Sequence, residues 1–148
     1  MTSAPSLKPN VLLVDDNRDG LLVRCSLLEE AGFSVESAIN GEEGLQLFSS
    51  RKFDVVVTDY RMPRMNGVEL IQKIRKLNPN IRVILLSGFV EPLGLTEENT
   101  GADVIIAKSS NEAVHLVRWV KRLANRGTSR KPPVPQQGPP VRKRTAGR

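Results

Sequence analysis

"VVVTDYRMPRMNG", Val55 to Gly67, sets an acidic residue at the end of a β-branched run and follows it closely with a proline and a glycine. Val-Val-Val-Thr is strand composition, and Pro63 and Gly67 are turn punctuation. The run is too apolar to alternate, as expected of a strand covered on both faces. The stretch therefore reads as a buried strand that carries the Asp59 carboxylate out of its far end.

Four similar runs lie on either side: "VLLV" (11–14), "FSVESA" (33–38), "VILLSG" (83–88) and "VIIAK" (104–108). Helical spacing fills the gaps between them. Gly32 follows "LLEEA" as a C-terminal glycine. Asn40 with Glu43, Asn66 with Glu69 and Ser109 with Glu112 each show the cap-x-x-Glu spacing of a helix start. A fourth, weaker helix, in "EPLGLTEENTGA", ends at Gly101. A last helix over about 110–125 lines up Ala113, Leu116, Val117, Val120, Leu123 and Ala124 on one face. Five β-α units in succession predict an α/β fold: a parallel sheet with right-handed crossovers and helices on both faces.

The 148 residues suffice for one domain with its own core. The net charge of +6 is unevenly placed: residues 1–125 sum to −1, and residues 126–148 to +7 with no acid and five of the ten prolines. That tail, "RGTSRKPPVPQQGPPVRKRTAGR", has little to bury and is expected to be disordered. Residues 1–9 read as a loose leader, and the domain proper as 10–125. Cys25 is the only cysteine, which excludes an internal disulfide and suits a reducing cytoplasm; it reads as a small buried hydrophobe. There is neither a signal-peptide pattern nor an apolar run of membrane-spanning length.

In a sheet of this kind, sites lie outside the carboxyl ends of the strands. There the first strand delivers Asp15 and Asp16, the third Asp59, the fourth Ser87 and the fifth Lys108. Three converging carboxylates repel unless a cation joins them, and an oxygen-only donor set suits Mg²⁺. A lysine and a hydroxyl beside them suit a phosphoryl group, and a carboxylate can itself be the nucleophile. Taken singly, Asp15 could be a helix cap, a role Asn17 could share, Asp59 a turn residue and Lys108 a solvated cation. Together they would demand an accidental convergence of four strand ends.

The acidic pair, "D-x-R-M-P-x-M-N-G" around Asp59, Ser87 and Lys108 resemble the receiver domain of two-component response regulators, over about residues 10–125. The resemblance implies a flavodoxin-like (βα)5 doubly wound sheet of order 2-1-3-4-5. It implies that Asp59 accepts a phosphoryl group from a sensor histidine kinase or phosphotransfer protein. Mg²⁺ would be held by Asp16, Asp59 and the backbone carbonyl of Arg61, and by Asp15 mainly through water. Lys108 would pair with the phosphoryl oxygens, and Ser87 would move to meet them. Met62-Pro63 and Asn66-Gly67 would shape the following loop. Haloacid-dehalogenase-like phosphatases also use an aspartate nucleophile, but their D-x-D pattern is absent because Asp15 and Asp16 are adjacent.

Two positions depart from that family. Ile105 stands where receivers usually carry Tyr or Phe, so an aromatic switch is missing. Ser109 replaces a proline that is commonly cis. A cis bond before serine costs about 3 kcal/mol, so either a trans bond with a rearranged loop or a strained cis bond is expected. The departures give weight to an alternative, a pseudo-receiver that binds partners without phosphorylation; the complete acidic and basic set argues against it.

No further folded domain is read after residue 125, so the expectation is a single-domain regulator. The resemblance implies that it would signal to a protein target through its fourth helix, fifth strand and fifth helix. Trp119 reads as a cover for the core edge and His115 as a surface residue. The basic tail has no aromatic residue to stack on bases, so nucleic acid is not the expected partner; "KPPVP" has polyproline-ligand form. Arg61 and Phe89, each two residues beyond a pocket group, flank the path of hydrolytic water that the resemblance implies. Slow self-dephosphorylation is therefore expected. Phosphoprotein decay should be faster in Arg61→Asn with Phe89→Ala than in the native chain, and an equal rate contradicts the idea.

Overall fold

The β-branched run of residues 55–59 becomes the central strand, and among the described strands it is the one buried along its whole length. Its five residues are buried on both faces. The computed structural model describes residues 8–88 and 94–129. Among these, strands and helices alternate: β1 Asn10–Val14, α1 Arg18–Glu30, β2 Ser34–Ala38, α2 Gly41–Ser50, β3 Val55–Asp59, α3 Gly67–Leu77, β4 Arg82–Ser87, α4 Glu97–Thr100, β5 Val104–Ala107 and α5 Glu112–Ser129. The sheet is parallel, in the order β2-β1-β3-β4-β5. This is the flavodoxin-like order expected from the sequence.

Successive strand side chains point to opposite faces, which divides the core in two. Val11, Leu13, Val55, Val57, Ile84 and Leu86 meet α1 and α5 through Leu21, Leu28, Leu116 and Val120. Leu12, Val56, Val83 and Leu85 meet α2 and α3 through Phe48, Leu70, Ile71 and Ile74. Each fully buried Leu or Ile contributes about 2 kcal/mol of apolar transfer, which sets the sheet as the rigid part of the molecule.

The helix starts are partly as the local spacing predicts. Asn66 and Glu69 close a reciprocal capping box on α3. Asn40 caps Glu43, but the Glu43 carboxylate accepts from the Ile39 amide instead of closing the box. At Ser109 the hydroxyl accepts from Asn111 N, and Glu112 sends its carboxylate elsewhere, to Arg24. A box that the spacing did not suggest joins Thr96 and Asn99. Left-handed Gly32 and Gly101 stop α1 and α4, as expected.

The fourth helix is a single turn, because its cap is Thr96 and its stop Gly101 leaves room for no more. The last helix begins at Glu112 and runs to Ser129, beyond the expected end. Leu116, Val120, Leu123 and Ala124 are buried, while Ala113 and Val117 are only partly so. Trp119 packs partly buried against the core with Arg122 5.0 Å above its ring, and His115 is exposed. Cys25 is half-buried and burial pushes its thiol up, away from reactive thiolate character. Among the described residues no helix is long and apolar enough to cross a membrane. Residues 1–7, 130–148 and Phe89, on which some expectations rest, lie outside the described part.

At the amino edge of the sheet, Arg75 at the end of α3 donates to Gly101 O, Pro79 O and Ile81 O, and reaches Asp103 Oδ2 at 3.1 Å. The same Asp103 oxygen accepts from Val83 N at 2.7 Å. One guanidinium thus ties α3, the turn before β4 and the turn before β5.

At the opposite edge, Gly67 lets the start of α3 lie against the end of β3. Its amide donates to Tyr60 O at 2.8 Å, and a Cβ there would overlap the Asp59 carbonyl oxygen and come within 2.8 Å of Leu85 Cδ1. Neither neighbour can yield without moving backbone or core. Gly67→Ala should therefore destabilise the protein by about 2 kcal/mol or more in urea unfolding; a loss below about 0.5 kcal/mol contradicts this packing.

Candidate functional site

The parallel register decides which side chains meet. Asp59 pairs across with Leu86 and Ser87 with Ala107, so the ends of β3, β4 and β5 emerge side by side. Asp15 follows β1 and is anchored by its amide to Ala38 O at 3.1 Å. One carboxylate oxygen from each of Asp15, Asp16 and Asp59 lies within 4.8 Å of the others. Asp15 and Asp59 are buried and Asp16 is exposed. Asp16 faces an open cleft that Tyr60, Arg61, Met62, Pro63 and Asn66 also line.

Two cations answer these charges. Lys108 Nζ lies 2.5 Å from Asp59 Oδ1. Arg24 Nη1 lies 2.6 Å from Asp15 Oδ2, while Asp15 Oδ1 accepts from Asn17 N at 2.9 Å. Arg24 also forks onto Glu112, with Nε to Oε2 at 2.6 Å and Nη2 to Oε1 at 3.2 Å. Burial works against the Arg24 charge, but its two carboxylate partners outweigh it and raise its pKa.

Each residue singled out in the sequence can now be placed. Asp15, Asp16, Asp59 and Lys108 converge. Ser87 is buried at the end of β4, one strand from Asp59. Arg61 is exposed on the cleft wall. Asn17, not Asp15, caps α1 by accepting from Gly20 N. The Lys108–Ser109 bond is trans, the first of the two expected alternatives. Sequence reasoning missed Arg24 and read Glu112 only as a helix-start residue. The available signal was Arg24 itself, spaced three residues after buried Leu21 and four before buried Leu28, a cation in an apolar stripe.

The loop after Asp59 is tightly constrained. Met62 is buried, Arg64 has φ of +68°, and Met65 N donates across it to Pro63 O at 2.7 Å. This three-residue turn is strained for a residue with a side chain and persists because both of its flanks are packed.

Burial raises the Asp59 carboxyl above its ordinary range; the Lys108 hydrogen bond pulls it down, and the Asp15 charge pushes it up again. A folded-state pKa above the unfolded 3.8 means that the folded chain holds the proton more tightly. The stabilisation from that proton is present below 3.8 and is lost as pH rises through the folded value. With metal chelated, Asp59→Asn should melt about 2–4 °C above the native chain at pH 7.5, with the gap closing toward pH 4. Thermal unfolding at both pH values checks this, and an unchanging gap contradicts it.

Comparison with known proteins agrees with this geometry. The family model described as the response regulator receiver domain matches residues 11–119. A response regulator receiver protein of Anaeromyxobacter is 38% identical over 79 residues, 53% of this chain and 33% of that protein. The chemotaxis protein CheY of Thermotoga maritima is 33% identical over 100 residues, 66% of this chain and 83% of that one. The chain thus spans only a minor part of the first of these relatives. The response regulator TrrA of Thermotoga maritima, solved in complex with Mg²⁺–BeF, superposes with a TM-score of 0.71 at 32% identity, covering 78% of this chain and 98% of its own. Strand order, acidic edge and sequence match all lead to one family, and the chain belongs to the response regulator receiver domains.

Proposed function

We propose that the domain is a phosphorylation-controlled switch in which Asp59 is the acceptor. The observation that carries the reading is the Asp59 carboxylate, buried at the end of β3, paired with Lys108 at 2.5 Å and adjacent to two more carboxylates. The donor is the phosphohistidine of a sensor histidine kinase or phosphotransfer protein. An Asp59 oxygen attacks phosphorus; the O–P bond forms as the N–P bond breaks, and the leaving imidazole takes up a proton. Lys108 moves from the Asp59 oxygen to those of the phosphoryl group, and Ser87 offers its hydroxyl.

The donor set fits Mg²⁺: oxygen only, three carboxylates within 4.8 Å, and one of them exposed. Asp16, Asp59 and the Arg61 carbonyl would hold the ion with Asp15 beside them, and the bound ion supplies charge compensation for the transferring group. That TrrA was solved in complex with Mg²⁺–BeF supports Mg²⁺ as the ion.

The output belongs to the same proposal. Ile105 is partly buried against the core layer of α2 and α3, and an aliphatic side chain cannot trade an inward for an outward ring position. Signalling to a protein target at the α4-β5-α5 face therefore runs through backbone shift. We place the domain in the cytoplasm.

Incubation with acetyl phosphate and Mg²⁺, followed by intact mass measurement, should show one added phosphoryl group, absent in Asp59→Asn and absent with chelator. A native chain that gains no mass supports the unphosphorylated scaffold instead.

A further inference from the structure

Asp15 has a cationic partner that the switch reading does not use. Arg24 lies on the buried stripe of α1, with its side chain 11% exposed, and spans from Asp15 to Glu112. Both Asp15 oxygens are occupied, one by Asn17 N and the other by Arg24. Gly20 leaves the space: a Cβ there would stand 2.9 Å from Arg24 Nη1. Glycine weakens the first turn of a helix, so the vacancy has a conformational cost that the guanidinium's placement accounts for. At the other end, Glu112 gives up its capping partner Ser109 to hold Arg24 with two hydrogen bonds.

We propose that Arg24 is a built-in competitor of the divalent cation at Asp15, and that Glu112 sets how strongly it competes. The proposal rests on reading Asp15, Asp16 and Asp59 as the cation site. A dication nearing Asp15 meets a guanidinium on the same carboxylate; the like charges repel, and Asp15 must loosen one to serve the other. The Glu112 carboxylate draws off part of the Arg24 charge. Without it, Arg24 concentrates on Asp15 and opposes the metal more strongly. Linkage is reciprocal: metal entry releases Arg24 toward Glu112 and tightens the tie between α1 and the first turn of α5. The charge relay thus joins the pocket to a helix of the output face, in a chain whose β5 lacks the aromatic switch.

Calorimetric titration of the full chain with Mg²⁺ tests this, with circular dichroism as the check on folding. Arg24→Met keeps the apolar stem and should bind Mg²⁺ about fivefold more tightly or better. Glu112→Gln should bind it about two- to fivefold more weakly in the native background and cause no change when Arg24 is already Met. If Arg24→Met does not fold, Gly20→Ala carries the test: by crowding Nη1 off Asp15 it should also tighten Mg²⁺ binding, and unchanged affinity overturns the proposal. Equal or weaker binding in Arg24→Met overturns it while leaving the cation site intact. A Glu112→Gln effect of the same size in both backgrounds removes the coupling. Absence of Mg²⁺ binding by every variant overturns the cation-site reading and this inference together.

Discussion

Three carboxylates held within 4.8 Å at one edge of a sheet, two of them buried, is the arrangement that the rest of the structure must sustain. Buried charges are tolerated only when they are paired. The fold supplies one cation from each flank of the sheet: Lys108 from the end of β5 and Arg24 from α1. Lys108 reaches Asp59 only through the crossovers between β3 and β5, whereas Arg24 comes from the helix that directly follows Asp15. The apolar strands therefore act as a jig. A one-residue slip of β4 or β5 would reverse the faces of Ser87 and its neighbours and move Lys108 away from Asp59.

Much of this was legible in the chain. Asp59 at the end of "VVVTD" was readable because a parallel sheet buries its strands on both faces and presents chemistry at their carboxyl ends. The Asn66–Glu69 box was readable because its partners are three residues apart and no competitor intervenes. Glu112 shows where such reading stops. The spacing to Ser109 is equally favourable, yet a guanidinium 88 residues away holds the carboxylate. A charged fork in a half-buried setting outweighs a local cap, and no local pattern reports it. The four residues of α4 were blurred for a related reason, since Thr96 starts the helix late and Gly101 ends it early.

The loop after β5 departs from its family without losing order. Ser109 holds the chain by accepting from Asn111 N with its hydroxyl and from Glu112 N with its carbonyl, the latter at 3.1 Å. Lys108 N donates to Ser87 O at 3.0 Å, which fixes the start of the lysine side chain beside the pocket. The loop that follows Asp59 is held just as firmly by buried Met62 and the turn at Arg64. Backbone hydrogen bonds and packing thus set where the pocket side chains start on two sides.

The Arg75 clamp occupies the end of the sheet remote from the acidic cluster and binds α3, β4 and the turn before β5 to one another. Its partners are mostly main-chain carbonyls, so its hold depends little on which side chains surround it. The molecule is consequently fastened at its base and charged at its rim, with an apolar sheet between. Substitutions at the rim can accumulate without loosening the base. A domain built this way can diverge in what it senses while its framework remains the same.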